Sequence, residues 1–230
     1  VGKSGLVGGI GLGIAMISFI YSITNTTAAI TLLCLAAMPF FTALLAFLFL
    51  KEKISLNVWI SMIIATVGII IMAVGNTEKN SLIGFVFGLT SSIGFSIFSV
   101  TLRWRKETPK FTTVAVAGLF CFVIATIMIL ANNQPFFATS YNSAMFSLHG
   151  IIVCLGLILY SIGSKAIQAA ELTLLSLTEV IGGIFWVWLP LFGINEIPST
   201  NTIVGGFFLF VSLIYYSLIM RWNKRYIALN

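Results

Sequence analysis

The chain has 230 residues, 59% of them hydrophobic and only 8% charged, and its mean hydropathy is +1.10. Soluble domains carry about 25% charged residues, so a water-soluble globular fold is excluded and an all-α polytopic membrane protein is expected. The formal net charge of +6 does not point to nucleic acid, because the basic residues sit in short clusters between apolar spans.

A helix needs about 20 mostly apolar residues to cross the hydrocarbon core. Eight spans are predicted: 5–23, 28–50, 56–75, 82–102, 111–131, 147–165, 171–192 and 201–220. The first begins after Lys3 in a chain that starts with Val1, and it ends at Asn25-Thr26-Thr27 just before another span. It reads as a membrane helix of a longer chain rather than a signal peptide. Gly2-Lys3-Ser4 has no upstream glycine or strand and is not a phosphate loop. Asn25-Thr26-Thr27 fits a glycosylation triplet in a very short turn. Gly5, Gly9 and Gly13 recur at four-residue spacing, and 82–102 carries Gly84, Gly88, Ser91, Ser92, Gly94, Ser96 and Ser99. Close helix packing accounts for most of these. Tyr21, Ser22, Ser92 and Ser96 are the candidates for a polar, solute-binding path. The longest connection, Asn132 to Phe146, is polar and holds Pro135. His149, alone near one end of its span, reads as interfacial rather than as a ligand. Cys34, Cys121 and Cys154 lie in apolar runs without a CxxC partner and read as small hydrophobes. There is no Asp, no HExxH and no GxSxG, so no metal site and no cofactor are expected.

Orientation follows from Lys and Arg. Eleven of the twelve, from Lys3 through Lys51, Lys53, Arg103, Arg105, Lys106, Lys110 and Lys165 to Arg221, Lys224 and Arg225, fall on the side that holds the N-terminus, and only Lys79 falls on the other. The excess assigns both ends of this chain to the cytoplasm, in the inner or plasma membrane.

The span 171–192 contains Glu179. A charge at that depth costs about 3 kcal/mol on insertion scales, and such residues face a protein interior or a watery cavity. Glu179 lies eight residues beyond Glu171, roughly 12 Å deeper. At helical spacing it shares a face with Gly182, Gly183 and Trp186. A carboxylate, two bare backbone positions and an indole make a pocket wall that could bind a polar or cationic group, or take a proton. The alternative is a hydrogen-bonded structural carboxyl between helices. Lys165 and Glu171 are placed to pair as a gate at the cytoplasmic mouth, and Glu52 and Glu196 to cap or brace the helices that follow them.

Two stretches resemble each other. Thr31 to Ser55 and Thr173 to Ser199 both open on Thr-Leu-Leu, run through an apolar helix and close on a glutamate, Glu52 or Glu196. Five spans separate equivalent positions, and an odd number inverts the second copy. Glu52 is flanked by Lys51 and Lys53, whereas Glu196 sits between Asn195 and Ile197, as the charge asymmetry requires. Two apolar helices can match by chance; the glutamate endings and the charge swap argue for an inverted repeat, a transporter signature with its site at the repeat interface.

These residues resemble the EamA-type members of the drug/metabolite transporter superfamily. In that pattern each half has five helices. The fourth carries a mid-span Pro or Glu-Pro and ends in a Gly-Glu or Lys-Glu step, and a fifth helix with a glycine follows. Here the first copy has Pro39, Lys51-Glu52, Trp59 and Gly68, and the second has Glu179, Glu196, Pro198 and Gly205-Gly206. Val180 stands where a Pro often follows the glutamate, and Pro190 lies nearer the far end, which leaves the kink of this copy open. The resemblance implies two inverted five-helix repeats, eight helices of an expected ten: residues 1–76 as the last three helices of the first repeat and 77–230 as the second. It also implies a central cavity, with 56–75 and 201–220 outside it.

The function expected is secondary transport, in the export direction, of small organic metabolites or drug-like compounds by alternating access. The partners expected are membrane lipid, a small-molecule solute and, as an open option, a second copy in a homodimer, with no nucleic acid. The alternatives are a membrane-embedded accessory subunit, a channel, or an enzyme without a recognisable catalytic motif.

Overall fold

The computed structural model describes residues 2–26, 28–74, 82–104, 110–136, 139–179, 182–183, 185 and 200–228, and every regular element among them is helical. Helix α1 spans Gly2–Asn25 and α2 spans Ala28–Leu35. Helix α3, Met38–Leu45, continues into a π-helical turn, Ala46–Leu50. Then come α4 (Leu56–Val74), α5 (Leu82–Trp104), α6 (Lys110–Ala131), α7 (Ser140–Gly163), α8 (Ala169–Ser176) and α9 (Thr200–Ala228). Most predicted spans are recovered within a few residues. Of 171–192, residues 180–181, 184 and 186–192 lie outside the described residues.

Among the described residues, four helices are long and apolar enough to cross a membrane: α1, α5, α6 from Phe111, and α7; Met38–Leu50, Leu56–Ile71 and Ile203–Tyr216 are shorter apolar helices. Burial is distributed as a bilayer demands. Leu119, Phe122, Ile127, Leu155 and Leu159 face outward, while Ser22, Thr31, Ser92, Ser96 and Ser99 are fully buried. Lipid rewards the first arrangement, and the second keeps these five hydroxyls inside the helix bundle. The chain is an all-helical polytopic membrane protein.

Several helix pairs among the described residues come close enough to need glycine, and in two of them the nearest obstacle is backbone. A Cβ on Gly94 of α5 would meet the Gly11 carbonyl of α1 at 2.6 Å, and one on Gly68 of α4 would meet the Gly205 carbonyl of α9 at 2.5 Å. Neither clash can be relieved by a side-chain rotation, because the obstacle is backbone. In the α4–α9 pair, Ser212 Oγ also donates to the Ser61 carbonyl at 2.7 Å. Small residues here let backbones approach, as membrane helix interfaces generally require.

The predicted span 28–50 is broken at Ala36-Ala37. Pro39 sits at the start of α3 and has no N–H to continue the ladder from α2. The chain tightens instead: Ala37 N–H donates to the Cys34 carbonyl at 3.1 Å, and Phe40 N–H to the Ala37 carbonyl at 3.1 Å. Two serines of α5 cover the break. Ser92 Oγ donates to the Cys34 carbonyl, and Ser96 Oγ to the Met38 carbonyl at 3.1 Å. Neighbouring hydroxyls commonly stabilise broken membrane helices in this way.

The span after Lys165 is also interrupted, at Leu177, whose N–H turns back to the Leu174 carbonyl at 3.2 Å. No proline is involved. Thr173, Ser176 and Thr178 each donate a hydroxyl to a carbonyl three residues earlier, at 3.0, 2.7 and 2.9 Å. Such bonds compete with the helix ladder and bend it. This interruption falls one residue earlier than the position corresponding to Ala36, and Val180 lies outside the described residues.

The connection expected from Asn132 to Phe146 is shorter than the sequence suggests, since α7 begins at Ser140. Thr139 caps it, its hydroxyl accepting the Asn142 N–H at 3.4 Å.

Candidate functional site

The two interrupted segments pack against each other. Leu32, Leu35, Ala36 and Met38 share a buried cluster with Ala170, Leu174 and Leu177, joined by Val58 and Met62 of α4 and Leu209 and Leu213 of α9. Gly183 brings the second segment within 3.1 Å of Leu32 Cδ1, measured from where its Cβ would stand.

Beside this contact lies a cavity of about 710 Å³. Its wall is built by α1 from Leu12 to Tyr21, α5 at Ser91 and Phe95, α6 from Cys121 to Met128, and α7 from His149 to Tyr160. Leu35 and Met38 flank one break, and Ser176 and Glu179 flank the other. The volume suits a drug-sized solute. Among the described lining residues none belongs to α4 or α9.

Glu179 and Tyr21 are the sequence-predicted site residues in the cavity wall. Glu179 and Tyr160 line the same cavity. The Tyr160 hydroxyl bonds Ser99 Oγ at 2.7 Å, and its ring packs edge-on to Phe95 and stacks on Phe98, at centroid distances of 5.1 and 6.0 Å. Tyr21 stacks on Phe87 at 5.1 Å, and its hydroxyl donates to Met128 Sδ at 3.4 Å.

The predicted hydroxyls lie elsewhere. Ser22 bonds Thr31 Oγ1 at 2.9 Å and donates to the Gly84 carbonyl at 2.8 Å. Ser92 and Ser96 cover the break in the first segment. All three are buried among helices and outside the cavity wall. Gly182 is half-buried, and Gly183 holds the contact with Leu32. Trp186 and Glu196 lie outside the described residues.

The expected pairing of Lys165 with Glu171 is corrected. Lys165 is exposed, while Glu171 is buried with its carboxylate facing Tyr216. The ion pair seen among the described residues joins Arg103 Nε to Glu52 Oε1 at 2.7 Å. Arg103 Nη1 also donates to the carbonyls of Ser164, at 3.1 Å, and Ile167. One guanidinium thus ties α5 to the segment after the π-helical turn and to the α7–α8 connection. Lys51 adopts a left-handed conformation (φ 55°) there, turning the chain as the π-helical turn ends. Glu52 braces α5 and does not cap α4, whose first turn is capped by Ser55 Oγ accepting the Val58 N–H at 3.4 Å.

The cavity and this tie lie at different depths. Arg103 is eight residues beyond Phe95, roughly 12 Å along α5, and Ser164 is four beyond Tyr160, roughly 6 Å along α7. Phe95, Phe98 and Tyr160 form a floor, with the Arg103 tie beneath it.

His149, Cys121 and Tyr160 line the cavity without having been singled out for it. Their signal was periodicity. His149, Val153, Gly156 and Tyr160 recur at intervals of four, three and four, and Cys121, Ile124, Ala125 and Met128 follow the same helical spacing, so each set shares one face.

The profile of the EamA-like transporter family matches residues 2–74. An uncharacterized transporter of Helicobacter pylori is 28% identical over 130 residues, which are 56% of this chain and 44% of that protein. The pseudopaline exporter CntI of Pseudomonas aeruginosa is 23% identical over 212 residues, covering 91% of this chain and 72% of that protein. An uncharacterized transporter of Clostridium kluyveri is 26% identical over 219 residues, covering 90% and 69%. The chain thus spans less than half the length of the Helicobacter relative. A solved crystal structure shares the fold, with TM-score 0.66 over 95% of this chain and 77% of that one at 17% identity.

Proposed function

We propose, from the premise that this chain is related to the EamA-type transporters, that it serves a secondary transporter of small organic metabolites or drug-like compounds in the cell membrane. The cavity beside the two helix breaks carries this reading. It is solute-sized, mostly apolar, and holds a carboxylate in its wall at membrane depth. The export direction is supported by a relative that bears an exporter's name.

The transport cycle alternates access between two inverted repeats, 1–76 and 77–230, in a bundle of eight spans here. Support comes from interruptions at nearly matching places in the two repeat segments, Ala36-Ala37 and Leu177. The basic end faces the cytoplasm, with both ends of the chain on that side. In the arrangement described, the aromatic floor and the Arg103–Glu52 tie close that end, and the cavity lies beyond them. The tie has to release when the solute enters from the cytoplasm.

The test is solute flux into proteoliposomes containing the intact protein. Saturable uptake with counterflow is expected for at least one organic solute. Turnover of a lipid or peptide without flux would overturn the reading in favour of an enzyme.

A further inference from the structure

The kind of solute follows from the chemistry of the cavity wall, and this step rests on the transport reading. Among the described lining residues there is one carboxylate, Glu179, and no lysine or arginine. The sequence extends that statement to its other apolar spans. No lysine or arginine occurs from Ser4 to Leu50, from Leu82 to Leu102, from Phe111 to Ser164, or from Ala166 to Met220. Residues 186–199, outside the described part, also carry no lysine or arginine. Arg103 is committed to Glu52 and two carbonyls below the floor. His149 stands on α7 eleven residues from Tyr160, roughly 16 Å away along the helix. A carboxylate in an apolar wall is neutralised by a proton or by a positive partner, and a cationic solute can supply the second.

The rest of the wall fits the same ligand. The Tyr160 ring is fixed by Ser99, Phe95 and Phe98, and it lines the same cavity as Glu179. A cation at this point meets a carboxylate and an aromatic face together. Phe95, Met38 and Met128 offer an apolar, adaptable surface for the body of the molecule. An anion would confront Glu179 with no fixed cation among the described lining residues to receive it, and a neutral solute would gain nothing from the carboxylate's charge.

We infer that the cavity takes an amphipathic organic monocation, its ammonium group held between Glu179 and Tyr160 and its apolar body against Phe95, Met38 and Met128. Glu179 is the residue that sets this charge preference.

The test compares three probes of one size class, benzyltrimethylammonium, neutral benzamide and anionic benzenesulfonate, by calorimetric binding to the intact protein in lipid nanodiscs. The cation is expected to bind about tenfold tighter than either of the others, the scale of one partly desolvated charge contact. Glu179→Gln should erase the preference, and Glu179→Asp should retain it. Benzenesulfonate or benzamide binding as tightly as the cation overturns the inference, and so does a preference that survives Glu179→Gln. If Glu179→Gln fails to fold, as judged by gel filtration, the probe ranking in the unmodified protein decides alone. Flux of the same probes separates this inference from the reading beneath it. Saturable carriage of benzamide without cation preference overturns the inference and leaves transport standing. Cation binding without saturable flux of any probe upholds the site and overturns transport.

Discussion

The two interrupted segments reach the same shape by different chemistry. Aligned on Thr-Leu-Leu, Thr31 corresponds to Thr173, so Ala37 (37 − 31 = 6) corresponds to Glu179 (179 − 173 = 6). In the first segment a proline stops the helix, and two serines reach across from α5 to the carbonyls. In the second, no proline is present, and Thr173, Ser176 and Thr178 bond back to their own chain. The first break is sealed by neighbours that are fully buried. The second leaves Ser176 and Glu179 in the cavity wall. A helix break in a membrane protein can thus serve as a packing joint or as the seat of a polar site. What fills the opened backbone decides which.

The largest expected effect breaks this comparison at its polar end. Glu179→Gln should lower transport about tenfold or more while membrane levels stay normal, because it removes a charge and leaves the shape. Adding Ala37→Glu to that variant should not restore flux, since Ala37 is not in the cavity wall. Restoration would show the two breaks to be interchangeable.

Next in size is the tie at the basic end. Arg103→Gln strands Glu52, whose Oε2 is already buried without a partner among the described residues. The pair is partly exposed, with side chains 26% and 14% accessible, so a loss of about 1–3 kcal/mol is expected rather than the full cost of a buried charge. Thermal unfolding in micelles checks it, and an unchanged midpoint would mean that the carbonyl contacts of Arg103 add nothing.

The smallest effects sharpen the contrast between the seals. Ser96→Ala removes a cross-helix bond to Met38 and should cost about 0.6 kcal/mol, the usual worth of a membrane interhelical hydrogen bond. Thr178→Val removes only a local back-bond at an exposed position and should cost less, within about 0.5 kcal/mol. Equal losses would remove the distinction between a joint held by neighbours and one that holds itself.

Much of this was legible in the sequence for plain reasons. Apolar runs gave the spans, because lipid leaves few alternatives to a helix. Glu179 stood out as an acid at membrane depth, whereas 28–50 was read as one span although Pro39 lies inside it. The second break was harder to read, because threonine and serine bend a helix only when their hydroxyls choose the chain's own carbonyls. Ser22, Ser92 and Ser96 looked like a polar path, yet hydroxyls also serve to stitch helices, and composition does not separate the two uses. Arg103 counted only as a topology charge, since its partners Glu52, Ser164 and Ile167 are distant in sequence. His149 was set aside as a lone imidazole, although its helical spacing from Tyr160 put both on one face.

The most direct measurement is thiol accessibility at the two corresponding positions. In a background with Cys34, Cys121 and Cys154 replaced, Glu179→Cys and Ala37→Cys are each exposed to a charged, membrane-impermeant methanethiosulfonate in oriented vesicles. The structure predicts fast modification at position 179 and little at position 37. Equal rates, or faster modification at position 37, would contradict an opened second break facing a cavity and a sealed first one.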